Sequence, residues 1–197
     1  MQVRVCCTEP MMLVPFYRSA VRQFDGRIRT VAPAQWTSST PDDDWDVQRL
    51  VAHVVNVQSR FAAHVGARRS SPTEATGEAL VGAWASASAA SVAAFEAVPD
   101  WSVPAPLPTG VTGTLEELGW LLTTDLTIHA WDLARAVNAS DEFPNDLIGA
   151  LLEQTKASHE RWFRPEAFAP SIPVPGCTDD LTELLALSGR NRWWRRT

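Results

Sequence analysis

Lysine is almost missing from this chain: Lys156 is the only one among 17 Lys and Arg residues. With 23 Asp and Glu the net charge is -6, so there is no general attraction to phosphate backbones and no nucleic-acid partner is expected. Cysteine is equally sparse. Cys6 and Cys7 are adjacent and Cys177 is remote, an odd set without CxxC spacing, which excludes a disulfide framework and a thiolate zinc knot and leaves three reduced bystanders. No segment approaches the roughly 20 continuous apolar residues of a membrane span, and the N-terminus lacks a signal-peptide core with a cleavage site. A cytoplasmic protein without a membrane partner is therefore expected. The chain also lacks a Walker loop, a GxGxxG turn and a GxSxG elbow, so three large enzyme classes drop out. Internal repeats, low-complexity segments and long heptad runs are absent too.

What is present suffices for one full-sized domain: 197 residues, 45% of them hydrophobic. Residues 1–10 continue no later pattern and read as an irregular extension, with the domain proper at 11–197. Apolar residues at Phe16, Val21, Phe24, Ile28 and Val31 predict a first helix from Pro15 to Val31. An acidic cluster before Trp45, Val47, Leu50 and Val51 predicts a second, from Asp44 to Val65, stopping at Gly66. The Ala- and Ser-rich stretch from Pro72 to Val98 reads as a third. Pro104, Pro106, Pro108, Gly110 and Gly113 then impose a loop or a short two-stranded turn. Thr114 with Glu117 forms a capping box for a fourth helix reaching Val137. A fifth helix follows Pro144 to Phe163, a Pro-containing connection covers 164–178, and a short helix runs from Asp179 to Leu187. The class is all-α.

Chemistry concentrates on the second and fourth helices. At about 100° per residue, Asp125 and His129 stack at i and i+4 on one face, with Leu118, Leu122, Leu133 and Ala136. Thr124, Thr127, Trp120 and Trp131 point roughly the other way. A carboxylate on an apolar stripe needs a partner, which a divalent cation or a simple hydrogen bond to His129 would each supply. His53 borders the apolar arc of Leu50, Val54, Val57 and Phe61, where a hydrogen-bonded histidine is the commoner occupant. Taken together, His53, Asp125 and His129 are an N2O donor set suited to zinc or nickel, and less specifically to iron or manganese, with coordination positions left open. Asp132 reads either as the group orienting His129 or as a salt-bridge partner. His64 and His159 read as structural, Arg60 as solvated, and Arg190 to Arg196 as a solvated basic tip. Trp45, Trp84, Trp120 and Trp131 fall at packing positions.

The segments Trp45-Asp-Val-Gln-Arg-Leu-Val-Ala-His53, Asp125-x-x-x-His129-Ala-Trp-Asp132-Leu-Ala and Leu184-Leu-Ala-Leu-Ser-Gly-Arg190 resemble the DinB-like superfamily. Within it they are similar to the actinobacterial branch related to the N-terminal domain of mycothiol-dependent maleylpyruvate isomerase. The resemblance implies an up-down-down-up four-helix bundle with a long crossover, plus a short additional C-terminal helix. It also implies a divalent metal held by a histidine of the second helix and a Glu-x-x-x-His of a later one, matching His53, Asp125 and His129. Asp125 stands where that pattern has Glu. The isomerase carries a second domain for which this chain has no length, so maleylpyruvate isomerisation itself is not expected. The implied activity is metal-dependent transfer or isomerisation on a small electrophile, using mycothiol or another low-molecular-weight thiol. A metal-dependent small-molecule hydrolase and a noncatalytic stress-response bundle are the alternatives, and association into a homodimer stays open.

Overall fold

A computed structural model describes residues 12–42, 45–66, 68–108, 110–162, 170–174, 176 and 179–196. The extension at 1–10, all three cysteines and most of the 164–178 connection lie outside these residues, as do Asp43 and Asp44 of the acidic cluster. The elements are α1 (Leu13–Ile28), α2 (Val47–Val65), α3 (Ala79–Ala97), β1 (Pro104–Pro106), β2 (Thr112–Thr114), α4 (Leu115–Val137), α5 (Asn145–Trp162) and α6 (Asp180–Leu187), with a 3-10 turn at Pro33–Gln35.

Local chemistry sets most boundaries. Asp46, not the preceding acidic cluster, caps α2 by accepting from Arg49 N at 2.8 Å. Asp179 does the same for α6 through Thr182 N. Thr114 Oγ1 accepts from Glu117 N at 3.1 Å while Thr114 N donates to Glu117 Oε2 at 2.9 Å, the reciprocal box read from the sequence. Asn138 ends α4 in the left-handed region at φ 57°. The Pro- and Gly-rich stretch is a small antiparallel hairpin that pairs Ala105 with Gly113.

Cross-helix contacts fix the topology. Tyr17 stacks on Phe95 and Phe24 packs on Trp84, so α1 and α3 run antiparallel. Phe61 meets Phe95, and the segment after α2 runs back along it, with Thr73 N bonded to Asn56 and Gly77 N to Gln48. That return makes α2 and α3 parallel, and it consumes residues predicted to begin α3. Phe16 lies against Trp120 and Gln35 reaches Val137 O, so α4 runs with α1. This is the up-down-down-up order of a DinB-like bundle, with α5 and α6 packed outside it.

The fourth helix is buried on both sides: Trp120, Thr124, Thr127 and Trp131, pointing away from Asp125 and His129, are as buried as Leu118, Leu122, Leu133 and Ala136. Packing on α1, α2 and α5 encloses it, and two of its hydroxyls are satisfied locally, Thr123 Oγ1 donating to Gly119 O and Thr127 Oγ1 to Thr123 O, while Thr124 Oγ1 is buried without a partner. One expectation needs correction: α3, alone among the described helices, has the length and composition to cross a bilayer, 19 residues at mean hydropathy 1.2. A search for an unbroken apolar run misses it because Gly82, Ser86, Ser88 and Ser91 interrupt the stretch. Here Leu80, Trp84, Ser91 and Phe95 are packed into the bundle.

Candidate metal centre

Because α2 and α4 are antiparallel neighbours, His53 on the first faces Asp125 and His129 on the second. His53 Nε2 lies 4.0 Å from Asp125 Oδ2, and His129 Nε2 lies 3.4 Å from Asp125 Oδ1. One ligand atom from each residue falls within 4.8 Å of the others. A tetrahedral ion with bonds of about 2.1 Å separates its ligand atoms by about 3.4 Å, so the three donors need only small adjustment. Asp125 Oδ2 is buried with no hydrogen-bond partner, a costly condition that a cation would relieve. The donor set fits a divalent ion.

Electrostatics separates the two histidines. Burial pushes His53 down to about 4 against the pull of Asp125, with His129 and Arg60 adding to the fall. For His129 burial opposes the charged form, but Asp125 and Asp132 outweigh it and raise the group to about 9. Burial likewise works to raise Asp125, yet His129, His53 and Arg190 prevail and hold it below the usual carboxylate range. Thus His53 presents a free lone pair near neutral pH, whereas His129 must release a proton before it can ligate.

Asp132 fulfils both roles foreseen for it. Its Oδ2 lies 3.1 Å from His129 Nδ1, and the same carboxylate receives Arg190. Trp45 flanks the site, its ring 4.7 Å from that of His53 and 5.8 Å from that of His129. The three residues open onto a cavity of about 820 Å³. Val57, Phe61, Leu118, Leu121, Leu122 and Ile128 form apolar walls, and Leu107 with its flanking prolines comes from the hairpin.

Several residues differ from their sequence reading. His64, read as structural, is exposed and lines this cavity with His53, and Arg60, exposed as read, lines it too. The spacing of His53, Arg60 and His64, two turns and then one along the same helix, was the available signal. Trp45 packs against the core as read and also forms part of the cavity wall. The terminal arginines are not a solvated tip: Arg190 is buried, Arg192 pairs with Asp141, and Arg196 donates to Ala136 O. Nothing in the spacing of the sequence announces those partners.

Bundle order, crossover and an N2O donor set on facing helices define the class as a DinB-like helical bundle with a candidate metal centre. The family model for the mycothiol maleylpyruvate isomerase N-terminal domain matches residues 17–134, and the chain belongs to that family. Two uncharacterized proteins from two strains of Mycobacterium tuberculosis are each 30% identical over 186 residues, spanning 92% of this chain and 98% of their own. Among solved structures, a histidine-to-alanine mutant of mycothiol-dependent maleylpyruvate isomerase superposes with a TM-score of 0.61 at 15% identity. A second structure of the isomerase gives 0.53 at 18%. Each covers 73% of this chain and 68% of the isomerase chain, a likeness of fold.

Proposed function

We propose that this protein is a divalent-metal enzyme that uses a low-molecular-weight thiol, mycothiol or a close analogue, for transfer to or isomerisation of a small electrophile. The observation that carries this reading is the placement of His53, Asp125 and His129 in the wall of a cavity of about 820 Å³, large enough for two small molecules side by side. A bound zinc or nickel ion would lower the pKa of a thiol ligand and so supply a nucleophile near neutral pH.

The chain's own residues do the rest. His53 and Asp125 hold the ion, and Asp132 keeps His129 Nδ1 engaged so that Nε2 faces the cavity. The Leu, Ile and Phe walls exclude water from the reacting groups and favour an apolar electrophile. Arg60 and His64 offer hydrogen bonds to the polar parts of the thiol at the exposed end of α2.

The test is metal analysis of the purified protein followed by titration with mycothiol. One ion per chain with thiol binding supports the reading. An ion without thiol binding points to a metal-dependent hydrolase instead, and neither leaves a noncatalytic bundle.

A further inference from the structure

Arg190 has no part in the function proposed above, yet it is the buried cation nearest the centre, only 9% exposed. It lies outside the span 17–134 matched by the family model and reaches the site from the segment after α6. Its Nε meets Asp132 Oδ1 at 3.0 Å and its Nη2 meets Asp132 Oδ2 at 3.1 Å, a two-pronged grip on one carboxylate. Nη2 also donates to Asp42 Oδ2 at 2.6 Å. Asp132 is wholly buried, and its Oδ2 is the atom facing His129 Nδ1. Asp42, His129 and Asp132 are themselves a second set of potential ligands within 4.8 Å of one another, so the guanidinium occupies what would otherwise be a competing cation site on the far side of the imidazole.

We propose that Arg190 is the positioning residue of the metal centre: it clamps Asp132 against His129 Nδ1, keeps Nε2 turned toward Asp125 and His53, and denies a metal ion the Nδ1 side of the ring. The metal half of this statement rests on the function proposed above. Without Arg190, Asp132 is freed to rotate, the ring loses its anchor, and the buried Asp132 with the half-buried Asp42 draws a cation to the wrong nitrogen. Lysine would restore the charge but not the fork.

The test compares Arg190→Met, Arg190→Lys and Arg192→Met with the parent, by zinc competition against a chromogenic chelator and by NMR of the His129 Nδ1–H. Arg192 sits on the same segment but pairs with Asp141, so its variant controls for general loosening of that segment. The parent and Arg192→Met should show a slowly exchanging Nδ1–H and equal affinity. Arg190→Met should lose the resonance and bind zinc at least about tenfold more weakly, with Arg190→Lys between. Unchanged affinity and an intact Nδ1–H in Arg190→Met overturn the proposal, as does Arg192→Met behaving like Arg190→Met. If Arg190→Met does not fold, parental values for both readouts in Arg190→Lys overturn it instead. Should the parent bind no zinc, the metal reading fails, while the Nδ1–H comparison on metal-free protein still decides whether Arg190 holds the ring.

Discussion

Aspartate in place of glutamate at position 125 shortens the carboxylate by one methylene, and the 4.0 Å gap to His53 is wider than the 3.4 Å gap to His129. The extra reach of glutamate would narrow the wider gap, and the open cavity beside it gives the longer side chain room. Asp125→Glu should therefore bind zinc as tightly as the parent or more so. Asp125→Ala should lose at least about 100-fold, the upper end of what removing even an outer partner costs. Equal zinc titrations for alanine and parent would remove Asp125 from the ligand set. At this scale the convergence of His53, Asp125 and His129 was legible, because i,i+4 spacing on α4 and the block ending at His53 are local signals. Arg190 was not. Its partner Asp132 lies 58 residues away and Asp42 lies 148 away, distances over which no periodicity operates.

The start of α4 was readable, since its cap is written in adjacent residues: Thr114 with Glu117 acts as its spacing predicts. Periodicity could not show that α4 is buried on both sides, because a helical stripe marks the face toward one neighbour and this helix has neighbours all round. Gly119 shows how close they come. A methyl group there would lie 2.7 Å from Leu13 Cδ2 and 2.9 Å from Trp101 Cζ3. Alanine is favoured over glycine inside a helix by about 1 kcal/mol, but this overpacking costs about 1–3 kcal/mol. Gly119→Ala should lower the thermal midpoint, and a rise would mean that α1 yields without cost.

For the whole molecule, helix count and order could be read from periodicity, whereas the direction of each helix could not: an amphipathic stripe is the same run up or down. The direction came from resemblance, and the contacts along the crossover, Thr73 to Asn56 and Gly77 to Gln48, account for it. The N-terminal boundary gives a sharp comparison. Met12 is 46% exposed and Leu13 is fully buried. A protein begun at Met12 should keep the thermal midpoint of the full chain, while one begun at Val14 forfeits Leu13 and about 2–5 kcal/mol. A large loss already at Met12 would make the preceding residues integral to the domain.

Trp45 is one indole among nine, and it lies against both imidazoles of the centre. An open-shell ion such as nickel or cobalt held by those imidazoles would drain the excited state of that ring, whereas closed-shell zinc would leave its emission intact. Occupancy by nickel or cobalt should thus be readable from the protein's own fluorescence, either ion dimming it and Trp45→Phe abolishing the response. The same aromatic wall that shapes the cavity would then act as a built-in gauge that tells one metal from another.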